Sequence, residues 1–142
     1  MKRFEKVVVV ALLLCVVVLS NAVYADDGHT DYSYTFSFGW IGHTDYTPSR
    51  EKFETSPLYL KLIWRDHPDY FIASAVRGNK KELTYTSYEE VSEVGVEYYI
   101  HSSAYEDYGQ GVTVRIKGRR EADSYGFRAG VLWSSDSYGE EW

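Results

Sequence analysis

Tyr32-Ser33-Tyr34-Thr35-Phe36-Ser37-Phe38 is the stretch that decides the fold, because four aromatic residues alternate in it with three hydroxyl residues. Successive side chains of a β-strand point to opposite faces, so a period of two places all four rings on one side. The stretch therefore predicts an antiparallel strand with one buried face and one solvated face.

The same alternation recurs along the chain. Leu58, Leu60, Leu62 and Trp64 alternate with Tyr59, Lys61, Ile63 and Arg65, which predicts a second strand. Turn residues separate the segments, and a short helix is expected over 88–94, ended by Gly95. The predicted strands cover residues 32–38, 58–65, 70–76, 83–88, 96–102, 112–117 and 127–133. About seven short strands separated by turns are typical of an all-β, antiparallel β-sandwich.

The N-terminus has the pattern of a helical signal peptide. Basic residues at positions 2, 3 and 6 precede an apolar run of 13 residues, Val7 to Leu19, and small residues lead to Ala25 and Asp26. This run is shorter than the ~20 residues that span a bilayer, so we expect cleavage between Ala25 and Asp26, with a membrane anchor as the alternative. The prediction is a cleaved leader over 1–25 and a single secreted, extracellular domain over 26–142.

Charge and cysteine content limit the classes of partner. Residues 26–142 contain 12 basic and 20 acidic residues, a net charge of −8, and the only cysteine, Cys15, lies in the leader. Such an acidic domain argues against nucleic acid and against anionic membranes, because both attract Lys and Arg. Without cysteines the fold must depend on packing, and it requires no cofactor. We expect a cell-envelope component or another protein as partner, no stable membrane insertion after cleavage, and either a monomer or an oligomer.

Aromatic residues are more numerous than a core of this size needs. The 117 residues after position 25 include 22 aromatic ones, and the adjacent Tyr98 and Tyr99 cannot both point inward. Exposed aromatic rings stack on sugar faces or anchor protein contacts, although they also cover strand edges and loops. The candidate ligand-binding residues are Trp40, Tyr98, Tyr99, Tyr105 and Tyr108.

Three His-x-Asp motifs provide candidate metal ligands. In extended backbone, residues i and i+2 share a face, so each histidine and its aspartate would aim at one point, as zinc or copper ligands do. The alternatives are ordinary turn chemistry and an Asp-His pair that titrates near neutral pH. No His-x-His or His-x-x-x-His spacing accompanies them, and no metal is assigned. The motifs are His29 with Asp31, His43 with Asp45, and His67 with Asp69.

Motifs for catalysis are missing from the sequence. It has no Gly-x-Ser-x-Gly, no His-Glu-x-x-His and no phosphate-binding glycine loop. The glutamates between 89 and 97 are typical of a solvated face, and the serines beside Asp136 are expected in a tail-like stretch. We therefore predict that the protein is not an enzyme; a site assembled from distant residues, as in a secreted hydrolase, is the alternative.

Two segments resemble small secreted, cysteine-free β-proteins of Gram-positive bacteria. They are Gly95-Val96-Glu97-Tyr98-Tyr99 and the run from Ala129 to Ser137, Ala-Gly-Val-Leu-Trp-Ser-Ser-Asp-Ser. Such proteins include uncharacterised families and lactococcin-972-like bacteriocins, which bind a cell-wall precursor. The acidic charge and the ending Glu140-Glu141-Trp142 depart from the bacteriocin pattern, so no functional residue is transferred.

The expected function is that of a secreted, non-enzymatic binding protein that acts at or near a bacterial cell envelope, with bacteriocin-like action as its more specific form. A metal-binding protein that uses the His-x-Asp pairs and a secreted hydrolase are the alternatives.

Overall fold

Two antiparallel β-sheets pack face to face in the structure, a computed structural model that describes residues 27–121 and 125–139. The first sheet has the strand order β1-β9-β4-β7, and the second has the order β2-β8-β5-β6, with β3 also paired to β8. The predicted all-β sandwich is confirmed. The described strands are β1 (Tyr32–Phe38), β2 (Thr44–Tyr46), β3 (Arg50–Glu51), β4 (Leu58–Arg65), β5 (Phe71–Arg77), β6 (Glu89–Val91), β7 (Glu97–Ile100), β8 (Thr113–Arg120) and β9 (Phe127–Ser134).

The rings of β1 form the centre of the core. Phe36 and Phe38 are buried, and their ring centroids lie 5.0 and 5.3 Å from that of Phe71 on the other sheet. Opposite them, a Cβ at Gly118 would lie 3.0 Å from both rings, so glycine lets the two sheets approach here without a shift of the rings. Tyr32, at the start of the strand, is 47% exposed. The predicted alternation is therefore correct, but only the later part of β1 lies deep in the core.

A β-bulge changes the orientation of Trp64. The pairing of β4 with β9 shifts between Leu62 and Trp64, so Trp64 faces outward and is 41% exposed. One extra residue in β4 reverses the side-chain alternation that the sequence shows over residues 58–65. The indole lies directly over Gly130 of β9, where any Cβ would clash with it.

The segment between β5 and β7 departs most from prediction. The strand predicted over 83–88 is reduced to one isolated bridge, between Thr86 and Ser102, and Glu89–Val91, predicted as helix, forms β6. Val91 pairs with Phe71 and is fully buried, so pairing with β5 overrides the local helical pattern. The predicted turn after β7 instead begins with a short helix, α1 (Ala104–Tyr108), and the short strands β2 and β3 were not predicted.

A buried ion pair joins distant parts of the chain. The Lys52 and Asp136 side chains are both 0% exposed, and Lys52 Nζ lies 2.6 Å from Asp136 Oδ1. Lys52 Nζ also donates to the backbone oxygens of Ser56 and of Ser135, the latter at 2.8 Å. Phe53 N donates to Asp136 Oδ2 at 2.8 Å. We call Lys52 and Asp136 the buried pair; burial lowers the pKa of Lys52, and its bond to Asp136 opposes this shift.

The buried pair corrects one expectation from the sequence. Residues Ser134 to Ser137 were expected in a tail-like stretch, but all four are buried. Asp136 N donates to the Gly28 carbonyl at 3.0 Å, and Ser135 Oγ donates to the Glu51 carbonyl at 2.7 Å. The segment after β9 is thus fixed to both the start of the described chain and the loop after β3.

The predicted leader, with its cleavage site at Ala25 and Asp26, lies outside the described residues. Among the residues that are described, no helix combines the length and hydropathy needed to cross a membrane.

Candidate functional site

A cleft of about 350 Å³ lies where the outer face of the first sheet meets the segment after β9. We call it the tyrosine cleft. Strands β4, β7 and β9 supply one side, while residues near 30 and residues 137–139 supply the other. The lining residues are His29, Asp31, Tyr59, Glu97, Tyr99, Ser134, Asp136, Ser137, Tyr138 and Gly139.

The sheet side of the cleft is built around Glu97. Tyr59 of β4 pairs with Tyr99 of β7, so both side chains leave the outer face together, with ring centroids 6.0 Å apart. Tyr59 Oη donates to Glu97 Oε1 at 3.3 Å, and Tyr99 Oη donates to Glu97 Oε2 at 3.1 Å. Lys61 Nζ lies 3.9 Å from Glu97 Oε1. Burial, followed by the negative charges of Glu97 and Asp31, raises the pKa of Tyr59 to about 12.

His29 and Tyr138 form the opposite side. Their rings stack with centroids 3.9 Å apart and an interplanar angle of 11°. His29 Nε2 lies 3.3 Å from Glu54 Oε1, whereas His29 Nδ1 is buried and has no hydrogen-bond partner within the described part of the chain. Tyr138 is 87% exposed despite the stack, so its outer face is open to a ligand.

The base of the cleft is rigid because the buried pair holds it. Asp136 lines the cleft, and its carboxylate is bound to Lys52, Phe53 N and Ser56 Oγ. A Cβ at Gly139 would lie 2.6 Å from Tyr99 Oη, so the segment after β9 runs closely past the sheet side. The base of the cleft is thus tied to the core, and its two sides lie close together near Gly139.

The structure does not bring together the five aromatic residues proposed from the sequence. Tyr99 lines the cleft, but Tyr98 packs against the core, and its Oη accepts hydrogen bonds from the backbone of residues 92 and 93. Trp40 is 79% exposed beside Tyr125, outside the residues that line the cleft. Tyr105 belongs to α1. Tyr108 ends α1 with the guanidinium carbon of Arg77 4.1 Å from its ring centroid.

The three His-x-Asp motifs also lie in different parts of the fold and make different contacts. Asp45 accepts hydrogen bonds from Tyr34 Oη, Ser37 N and Tyr46 N, and Asp69 accepts one from Tyr70 N. The bonds from Tyr46 N and Tyr70 N are local backbone contacts, whereas those from Tyr34 Oη and Ser37 N tie Asp45 to β1. Only His29 and Asp31 line the tyrosine cleft, whereas the His67 ring is 5.8 Å from that of Tyr125 and the His43 carbonyl accepts from Arg120 N.

In residues 27–121 and 125–139, no group of three or more His, Cys, Asp or Glu side chains could hold a metal ion. Metal binding by the separate His-x-Asp pairs stays a prediction, as does the hydrolase alternative.

Sequence reasoning missed most of the tyrosine cleft. Tyr59 is not among the predicted binding residues, and its pairing with Tyr99 depends on the strand order. The motif Asp136-Ser137-Tyr138-Gly139 repeats Asp123-Ser124-Tyr125-Gly126, a recurrence visible in the sequence and typical of turns. Only the fold shows that the second copy closes a cleft.

A comparison with models of protein families shows which family the chain belongs to. The model of a family described as protein of unknown function (DUF2712) matches residues 21–137. The chain belongs to the DUF2712 family. This match includes every described strand and the buried pair, so the DUF2712 sandwich extends through the base of the cleft. Neither the curated proteins nor the solved structures gave a significant match. The resemblance to lactococcin-972-like bacteriocins stays a prediction.

Proposed function

We propose that this DUF2712 protein is a secreted, non-enzymatic binding protein that acts at or near a bacterial cell envelope, and that the tyrosine cleft is its binding site. One observation carries the proposal: Tyr59, Tyr99 and Tyr138 line the same rigid cleft together with carboxylates and hydroxyls. Flat rings bounded by a few polar groups are the chemistry with which proteins bind sugars and other ligands that have one apolar and one polar face.

The hydrogen bonds in the cleft support binding over catalysis. Both oxygens of Glu97 accept hydrogen bonds from tyrosine hydroxyls, and Asp136 is bound on both of its oxygens inside the buried pair. A general acid or base has to exchange a proton with a substrate, whereas these carboxylates orient their neighbours. Their arrangement favours a fixed binding surface.

The ordering of the cleft also supports tight binding. Its base is tied to the core by the buried pair, and Glu97 fixes both tyrosine hydroxyls on the sheet side. Little conformational entropy is therefore left to lose when a ligand enters, which favours affinity.

Sedimentation with purified Gram-positive cell walls tests the proposal. We expect the protein lacking residues 1–25 to bind, and Tyr99→Ala and Tyr138→Ala each to weaken binding about tenfold, since losing one stacked ring costs ~1.4 kcal/mol. Trp40→Ala is the matched control, because Trp40 is exposed but lies outside the cleft lining. Absence of binding, or equal losses in all three variants, would contradict the assignment.

Bacteriocin-like action is the more specific form of the proposal. It requires the purified protein to inhibit growth of related bacteria at concentrations at which it binds their walls. Inhibition that persists in Tyr99→Ala would separate the toxic activity from the cleft.

A further inference from the structure

We propose that the ligand of the tyrosine cleft is a glycan that carries free, positively charged amino groups. This inference rests on the proposed function and specifies the class of ligand. It follows from the charges that line the cleft and from the aromatic rings beside them, of which that of Tyr138 is exposed.

The described lining of the cleft is negative. It contains Asp31, Glu97 and Asp136 and neither lysine nor arginine. Asp136 is neutralised by Lys52, and Lys61 approaches Glu97 from outside the lining at 3.9 Å. The charge of Asp31 is not balanced in this way by any described ion pair.

Another carboxylate stands just behind the cleft. Glu54 lies 3.3 Å from Nε2 of the lining residue His29. Negative charge next to a partly enclosed cleft raises the local concentration of cations and repels phosphate and carboxylate groups. The electrostatics therefore disfavour anionic polymers as the ligand.

The rings favour the same class of ligand. Tyr138 is 87% exposed, and the hydroxyls of Tyr59 and Tyr99 are both bound to Glu97, so a group that enters the cleft meets aromatic rings beside a carboxylate. An ammonium group over a tyrosine face gains ~0.5–1 kcal/mol at exposed sites and about 2 when desolvated. A carboxylate at the ring edge adds a charge-assisted hydrogen bond. A neutral sugar would gain only the stacking part of this interaction.

Two glycans that differ only in whether the amino group is free or acetylated provide the test. Oligomers of glucosamine and of N-acetylglucosamine share one backbone, but only the first carries ammonium groups. By calorimetry at mildly acidic pH, at which the amino groups of the glucosamine oligomer are protonated, we expect this oligomer to bind at least tenfold more tightly, with the preference falling as the salt concentration rises.

Variants of single carboxylates test whether the preference for the glucosamine oligomer arises in the cleft. Asp31→Asn and Glu97→Gln should each reduce the preference severalfold, whereas Glu90→Gln, on the exposed side of β6 in the other sheet, should leave it unchanged. Circular dichroism confirms that each variant is folded. An unchanged preference in both Asp31→Asn and Glu97→Gln would refute the assignment of charge to the cleft.

The outcomes separate the two proposals. Equal affinities for both oligomers, or binding to cell walls with no binding to either oligomer, overturn the inference about amino groups and leave the proposed function intact. Preferential binding of the glucosamine oligomer without binding to cell walls supports the inference and overturns the proposed action at the envelope.

Discussion

Breaking the buried pair should destabilise this protein more than any surface substitution. Lys52→Met removes the cation and leaves the Asp136 carboxylate uncompensated, with Phe53 N and Ser56 Oγ as its remaining donors. Asp136→Asn keeps the shape but leaves the Lys52 ammonium without a counter-charge. Both side chains are 0% exposed, so water cannot replace the lost partner without a local rearrangement.

The expected loss is a large part of the total stability. Removing one partner of a buried ion pair costs ~3–5 kcal/mol, against a total free energy of unfolding of ~5–15 kcal/mol for a typical domain. For a domain of about 115 residues, an unfolding entropy of ~2.1 cal/mol/K per residue converts 4 kcal/mol into a melting temperature about 16 °C lower. Each single variant should therefore be folded only marginally at 37 °C.

A double-mutant cycle in urea measures the coupling. Lys52→Met combined with Asp136→Asn leaves no uncompensated charge, so its loss should be smaller than the sum of the single losses by at least ~2 kcal/mol. Lys117→Met is the matched control, because Lys117 Nζ lies 2.8 Å from Glu82 Oε1 in an exposed pair, where the loss should stay below about 1 kcal/mol. A single-variant loss of the size of this control, or strictly additive losses, would refute the reasoning.

Three further predictions concern backbone, titration and surface. Gly28→Ala should lower the melting temperature, because Gly28 has a φ of +83° and an added Cβ would clash with the Asp136 carboxylate; normal stability would show that this approach is not tight. Burial, followed by the charge of Asp45, raises the pKa of Tyr34 from 10.0 to about 12. The contribution of Tyr34 to stability is complete below pH 10 and is lost as the pH rises toward 12. In Asp45→Asn, ultraviolet titration should show Tyr34 ionising at a lower pH, because the charge of Asp45 is gone. An unchanged titration would exclude the coupling between Tyr34 and Asp45. Trp40→Ser should change the free energy of unfolding by no more than about 0.5 kcal/mol in urea, and a larger loss would mean that Trp40 packs against the fold.

The sequence predicts strands well where they bury alternate residues. Strand β1, with Phe36 and Phe38, lies where its alternation places it, because half-buried strands carry their burial pattern in the local sequence. Strand β6 was missed because Glu89 and Glu90 resemble a helix start, and only pairing with β5 makes Val91 a core residue. A local sequence pattern cannot show which distant strand a segment will pair with.

For the candidate site, the sequence predicted the type of residue, exposed aromatic rings, but not which rings come together. The excess of aromatic residues correctly indicated that some rings face outward, and Tyr99 was among those named. The partners of Tyr99 come from β4 and from the segment after β9, so the strand order decides which rings meet. A polar stretch such as Ser135 to Ser137 reads as exposed chain, because its burial depends on one lysine far away in the sequence.

The buried pair has a structural role that disulfides fill in many small domains. Lys52 and Asp136 are separated by 84 residues, and no cysteine follows position 15, so this contact is a cross-link between the loop after β3 and the segment after β9. An ion pair is a costly way to stabilise a core, since hydrophobic residues of similar volume are often as good, but its directional bonds fix one arrangement of the groups around it. Here those groups include the base of the tyrosine cleft, because Asp136 lies next to Ser137 and Tyr138, which line it. The directional bonds of the charged pair thus fix the backbone from which Tyr138 extends, whereas an apolar contact of the same volume would leave its orientation less defined.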